Sequence, residues 1–371
     1  MTPAAYAVLN LDAVRHNLSK VRSCAPSAKV MAVIKANGYG HGLLRIAEAL
    51  QPVDAFAVAR VDEGIRLRKA GFKNRIAVLE GFTCIEEFNE LLDYQLEAVV
   101  HSVIQLEIFE AGTEPNETCA VWLKLDTGMN RLGFKAKEFS SAYQRLKQCT
   151  QVKQPINLMT HFACADDFND DKTPKQICLF NETIAGLSGE RSMANSAAIL
   201  GWKQSLSDWV RPGVMLYGIS PFPDSTGQQL GLRPVMELRS RLIAVKQIEA
   251  GDKVGYGGSW TCEKATIMGV VAIGYGDGYP RYAKVGTPVL VGGRRVPLIG
   301  RVSMDMITVD LGTGVHAKPG DPVTLWGDGL PVEEIAQWAD TIPYALVCGV
   351  TQRVQLVEKH YELNLRQYYQ R

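Results

Sequence analysis

The chain has 371 residues, with 40 Lys and Arg against 39 Asp and Glu, a formal charge of +1. This balance excludes a nucleic-acid scaffold, which carries a basic surplus, and 46% apolar with 21% charged residues is a globular composition. No run of about 18 apolar residues is present, so no membrane-spanning helix is expected. The first residues lack the basic and apolar regions of a secretory signal, and the eight cysteines contain no C-x-x-C pair. Free thiols and a cytoplasmic location are therefore expected.

Residues 1–230 alternate short apolar runs with amphipathic stretches. Eight runs predict strands: 30–34, 54–59, 75–80, 97–100, 119–125, 156–162, 192–195 and 213–218. Between them, 11–24, 61–72, 102–112 and 135–147 predict helices; in the first, Leu11, Val14, Leu18 and Val21 recur at helical spacing. Continuous apolar strands alternating with helices imply parallel strands buried on both faces. Eight such units fit an α/β fold of the (β/α)8 TIM-barrel type, with a doubly wound open sheet as the alternative. Residues 220–234 are rich in Pro, Gly and Ser and read as a linker. Beyond it, 236–248, 266–273, 287–298, 306–310 and 322–326 are β-like, and 332–339 predicts a helix. The expected organisation is a barrel domain over 1–232 and a smaller, mainly β domain over 233–371.

Barrel chemistry collects at the C-terminal ends of the strands. There the sequence places Lys35, Arg60, Glu80, His101, Lys124 with Asp126, His161, Asn195 with Ser196, and Arg211. Lys35 directly follows a buried apolar run. Partial desolvation lowers the pKa of such a lysine and frees a nucleophilic amine, which suits Schiff-base chemistry with a carbonyl. A lysine snorkelling from a strand end fits the same position. Asn195–Ser196 and the segment Arg211–Val214 are candidates for binding a phosphate through hydroxyl and backbone N–H groups, as are ordinary turns. No metal-ligand spacing, Gly-x-Ser-x-Gly elbow or Gly-x-x-x-x-Gly-Lys phosphate loop occurs. Lysine with a phosphate-bearing carbonyl cofactor is the leading chemistry. A metal site from Glu80, His101, Asp126 and His161 is the alternative.

The segment AVIKANGYGHG (32–42) resembles the cofactor-lysine motif of the alanine racemases. LKLDTGMNRLGF (123–134), THFACAD (160–166), ANSAA (194–198), VRPGVMLYG (210–218), VGYGGSW (254–260), IGYGDGYPR (273–281), GRVSMDM (300–306) and TIPY (341–344) resemble that family's other blocks, in the same order. The resemblance implies an isomerase dependent on pyridoxal 5′-phosphate (PLP). It implies a TIM barrel followed by a β domain, which the residues before Leu9 usually join, and a homodimer whose active sites draw on both subunits. Lys35 would hold PLP as a Schiff base. Tyr39, Ser196 beside Asn195, the backbone of Gly213 and Val214, and Tyr344 would hold its phosphate. Arg211 would face the pyridine nitrogen, and His161 would flank the ring. Arg131 and the backbone of Met304, the latter from the partner, would bind the substrate carboxylate. Lys124 matches a position that is often carbamylated in this family, and Tyr275 a residue of the gate through which substrate enters. Tyr256, also from the partner, would be the second acid/base group.

The resemblance further implies interconversion of L- and D-alanine by two bases, Lys35 acting on D-alanine and Tyr256 on L-alanine. The product either supplies D-alanine for peptidoglycan or serves alanine breakdown. His161 with Arg211 is expected to supply the positive charge that lets Tyr256 act as a base. Two other readings are a barrel-type PLP amino-acid decarboxylase and a non-catalytic PLP-binding protein.

Overall fold

A computed structural model describes residues 4–111 and 118–359. The first strand, β1 (Tyr6–Leu9), leads into the helix Leu11–Cys24. Asn10 caps that helix, its side-chain oxygen accepting from the Ala13 amide at 3.2 Å. Eight strands then follow: β2 (Lys29–Val33), β3 (Ala55–Val58), β4 (Arg75–Val78), β5 (Glu97–Val100), β6 (Cys119–Lys124), β7 (Val152–Met159), β8 (Arg191–Ser192) and β9 (Trp209–Val210). They are parallel and close into a barrel in sequence order, β9 returning to β2 through Lys29↔Trp209 and Val30↔Val210. β3 and β5 are buried at every position, as strands covered by helices outside and packed side chains inside must be. The fold is the TIM barrel expected from the alternation of runs.

The eighth barrel strand is displaced from its expected place. It is Trp209–Val210, and the run at 213–218 forms a 3₁₀ turn, Val214–Tyr217. Pro212 supplies no N–H to a ladder, and Gly213 leaves the extended region at φ −117°, ψ −97°. The turn is buried throughout, so its apolar run resembles a core strand in sequence. Asn17, a buried polar residue on the first helix, holds it: its amide donates to Leu216 O at 3.0 Å and Arg233 O at 2.9 Å.

The second unit contains β10 (Met236–Ile248), β11 (Lys253–Val254), β12 (Trp260–Thr261), β13 (Thr266–Val271), β14 (Pro288–Val291), β15 (Arg294–Ile299), β16 (Ile307–Gly312), β17 (Pro322–Trp326) and β18 (Gln355–Glu358). The expected strand at 287–298 is a hairpin of β14 and β15, turned by Gly292 and Gly293, both at positive φ. Pairings β10–β13–β16–β15–β14–β17–β10 run in a ring. β1 extends this ring, antiparallel to β10 and parallel to β18, although it opens the chain. No helix among the described residues is long and apolar enough to cross a membrane.

Charges also gather at the barrel's other end, where the strands begin. Arg75 lies 4.7 Å from the Trp209 ring and 5.9 Å from that of Trp122. Its guanidinium forks onto Glu97 and reaches Glu190 at 3.0 Å, while Trp122 Nε1 donates to Glu97 at 2.8 Å. This end of a barrel serves stability. Glu97→Ala would leave the cation and the indole N–H without their buried acceptor. We expect a loss on the order of 2–4 kcal/mol, lessened by the partial exposure of Arg75. Urea denaturation measures it, and ligand binding at the opposite end should be retained.

Candidate active site

Lys35 stands at the end of β2, immediately after the buried Ile34. The chain then makes a left-handed turn: Ala36, Asn37, Gly38 and Tyr39 have φ of 53°, 55°, 64° and 50°. Three of these are not glycine, and each costs about 1–2 kcal/mol in this region. Local bonds offset the strain. Asn37 Oδ1 accepts from Leu43 N at 3.0 Å, and the buried Glu63 accepts from Asn37 N at 3.3 Å and Ala59 N at 2.9 Å. His41 Nδ1 faces Tyr39 O at 2.8 Å and Gly38 O at 3.1 Å, so that nitrogen carries the proton. Burial lowers the His41 pKa to about 4 and keeps it neutral. At Gly40 a Cβ would sit 2.1 Å from Val347 O, so only glycine fits where the turn crosses the helix Pro343–Cys348. The turn thereby fixes the lysine. Burial first, then Arg131, lowers the Lys35 pKa.

The same turn aims Tyr39 across the barrel mouth. Its ring stacks on Tyr217 at 4.7 Å and lies 6.2 Å from that of Tyr344. A Cβ on Gly213 would be 2.7 Å from the Tyr39 hydroxyl, so glycine there keeps a small polar cradle open. Burial pushes both phenols up, Tyr344 to about 12, and leaves them neutral donors. Asn195 caps the short helix Ser196–Gly201 by accepting from Ala198 N at 3.0 Å. Ser196 Oγ accepts from Gly213 N at 2.9 Å and Met215 N at 3.4 Å. Hydroxyls and backbone amides at one strand-end cluster suit phosphate oxygens.

Arg211 is buried, and among the described residues no acidic side chain pairs with it. It donates to Ser192 Oγ at 2.6 Å, Thr160 O at 2.5 Å and Met193 O at 3.2 Å. Burial lowers its pKa to about 10, so it stays charged. One of its nitrogens is 3.3 Å from His161 Nδ1. Burial and then Arg211, Lys124, Arg131 and Lys35 hold the His161 pKa well below its usual value. His161 is therefore neutral, which corrects the expectation that it helps to supply positive charge. Lys124 ends β6 and is buried; burial, then Arg211, Arg131 and Lys35, lowers its pKa to about 8. Arg131 lies on a loop organised by Asp126, which accepts from Gly128 N and Asn130 N at 3.0 Å and pairs with Lys135 at 2.6 Å.

The barrel mouth thus gathers Lys35, Tyr39, Lys124, Arg131, His161, Asn195, Ser196, Arg211, Gly213, Val214 and Tyr344. Tyr256, Tyr275 and Met304 stand apart, 69%, 40% and 53% exposed on loops of the second unit. Sequence reasoning missed Asn17, Glu63, Thr160, Ser192 and Tyr217, which touch the site only through other residues. The alternative metal set is not assembled: Asp126 is committed to its own loop, and His101 Nε2 bonds Glu80 O at 2.9 Å. Among the described residues no three His, Cys, Asp or Glu are grouped to hold a metal.

The family model described as "Alanine racemase, N-terminal domain" matches residues 9–221, and that for the C-terminal domain matches 235–358. The chain belongs to the alanine racemase family. It is 51% identical over 354 residues to the alanine racemase of Shewanella sediminis, covering 95% of this chain and 99% of that one. The alanine racemase of Aeromonas hydrophila is 52% identical over 351 residues, covering 95% and 98%. The crystal structure of biosynthetic alanine racemase from Pseudomonas aeruginosa superposes with a TM-score of 0.93 at 42% identity, covering 97% of this chain and all of that one. The family is made of PLP-dependent isomerases. The open cradle at Gly213, the excess of cations and the neutral-prone lysine at the end of β2 fit such a group.

Lys124 yields a pH test. Its pKa is about 8 in the fold against 10.5 for a free lysine. Between these values the unfolded chain binds the extra proton, so the group adds stability as pH rises through that window. In bicarbonate-free buffer, the stability advantage of Lys124→Met over the parent should be greatest below pH 8 and shrink towards 10.5. Urea midpoints across this range are the measurement; a constant difference would sink the assignment.

Proposed function

We propose that the protein is a homodimeric, PLP-dependent alanine racemase interconverting L- and D-alanine. The observation that carries this reading is the convergence of a desolvated Lys35 with Lys124, Arg131 and Arg211 on one barrel mouth, beside a cradle of Tyr39, Ser196 and Gly213. Excess positive charge there suits a substrate carboxylate and a phosphate ester. PLP, when bound, supplies the electron sink that makes the substrate Cα–H acidic.

The chain's own residues do the rest. Lys35 would carry PLP and, once exchanged for substrate, hold the proton on one face of Cα. Tyr39, Ser196 with Asn195, the backbone of Gly213 and Val214, and Tyr344 would bind the phosphate. Arg211, charged and bonded to neutral acceptors, would meet the ring nitrogen and hold it unprotonated. This limits charge delocalisation and favours prompt return of the proton over side reactions. His161, neutral beside Arg211, would flank the ring. Arg131 and the Met304 backbone would orient the carboxylate. Lys124 would be carbamylated: its lowered pKa leaves a fraction of the amine unprotonated near neutrality, and a carbamate would place a negative charge among three cations.

One side chain cannot serve both faces of Cα. Tyr256 would serve the other, from the partner subunit, with Tyr275 gating substrate access. The exposure of Tyr256, Tyr275, Met304 and Met306 on one unit supports their burial against a second copy. We also place the domain boundary after residue 232, counting β1 with the C-terminal domain. Eight free cysteines support a cytoplasmic location.

A racemisation assay in both directions, with and without PLP, tests the reading. The parent should interconvert both enantiomers. Tyr256→Phe should lose racemisation by about 10²–10⁴-fold, the usual contribution of a positioned proton-transfer group. Lys35→Ala should also lose the pyridoxyl label that borohydride otherwise fixes on Lys35. Near-native rates for Tyr256→Phe would overturn the two-base assignment.

A further inference from the structure

The turn carrying Tyr275 and the loop carrying Met304 are one assembly. Tyr275 N donates to Ser303 O at 3.0 Å, and Gly276 N to Met304 O at 2.8 Å. A Cβ at residue 274 would meet both Ser303 O and Met304 O at 2.3 Å, so a glycine is needed for this approach. A third segment lies against the turn. Thr351 N donates to Asp277 O at 3.1 Å and Thr351 Oγ1 to Gly276 O at 2.9 Å. This segment directly follows the helix Pro343–Cys348, which carries Tyr344.

Arg353 closes the arrangement. Its Nε is 3.3 Å from Asp277 Oδ1, and Nη2 donates to Asp305 Oδ1 at 2.8 Å. Asp277 is buried, and its other oxygen accepts from Gly274 N at 2.9 Å. Asp277 belongs to the Tyr275 turn; Asp305 follows Met304. One planar guanidinium therefore spans both segments, which the point charge of a lysine does less well. The guanidinium is about half exposed, at 52%, and pairs of that kind add little to stability. Its consequence lies in orientation.

We propose that Arg353 is a positioning residue for racemisation. It clamps the Tyr275 turn to the Met304 loop and ties both to the Tyr344 helix. The carboxylate contact and the gate are then presented to the partner's site in one fixed relation. The inference rests on the function proposed above for Tyr275 and Met304. Small misplacements of such contacts lower binding and rate well beyond their effect on folding.

The test uses the PLP-loaded dimer and the variants Arg353→Gln, Arg353→Lys and Asp305→Asn. Arg353→Gln should raise KM for both alanine enantiomers by about tenfold, with a smaller change in kcat. Its unfolding midpoint and visible cofactor absorbance should match the parent. Amide exchange of the peptide spanning 273–279 should quicken while that of β2 does not. Arg353→Lys should restore part of the KM, and Asp305→Asn, which removes one arm, should give a smaller change in the same direction. Unchanged KM, with or without faster exchange, overturns the inference. So does loss of dimer and cofactor in Asp305→Asn as well as in Arg353→Gln, which would make the clamp a general folding element. If the parent itself racemises nothing, the proposed function fails and this inference with it. An active parent beside an unaffected Arg353→Gln overturns the inference alone.

Discussion

Four cations, Lys35, Lys124, Arg131 and Arg211, act on one another at the mouth of a closed barrel, and the nearby acids do not balance them. Glu63 spends its oxygens on Asn37 and Ala59 amides, and Asp126 on its own loop and Lys135. Bringing like charges together out of water is unfavourable unless something offsets it. The protein lowers the cost by weakening the protons themselves: Lys35, Lys124 and Arg211 all fall below their ordinary pKa values. What remains is a preorganised field for anions, built before any ligand arrives. The more weakly held protons and the anion field are two results of one arrangement.

Two arginines, one half-buried and one buried, show how the barrel separates stability from chemistry. Arg75, where the strands begin, is neutralised by Glu97 and Glu190 and sandwiched near two indoles. Arg211, where they end, donates to a hydroxyl and carbonyls and lies against a neutral imidazole. The first charge is used up within the fold, and the second is left outward-acting. Neutral His161 strengthens this contrast, because a charged imidazole 3.3 Å from the guanidinium would depress it further.

The barrel was legible because its strands are uninterrupted apolar runs between helical patterns. Leu11–Cys24 and Pro322–Trp326 fall where periodicity and composition put them. The last barrel strand was not legible, since a buried 3₁₀ turn and a buried strand share an apolar pattern and only Pro212–Gly213 marks the break. Strand ends identified the polar residues that line the mouth. They could not identify Asn17, Glu63 or Ser192, which act through bonds to segments up to about two hundred residues away in the chain. Nor could they give the protonation of His161, which depends on four cations drawn from three strand ends. PLP and the dimer came from family resemblance alone.

The proposed chemistry explains why the second unit is a ring with exposed loops. A barrel mouth presents its groups from one side, and Lys35 is fixed there by a strained turn that cannot swing around a substrate. A proton donor for the opposite face of Cα has to come from outside the barrel. Tyr256, Tyr275 and Met304 sit on connections between strands of a closed ring, where backbone pairing limits their movement. β1 hydrogen-bonds that ring to the segment that opens the barrel, so ring and barrel share a covalently short, paired junction. Exposed phenols on a rigid body become useful when a second copy offers its barrel mouth. In the proposed dimer, the stability of the ring would set the precision of a site to which it contributes from the other chain.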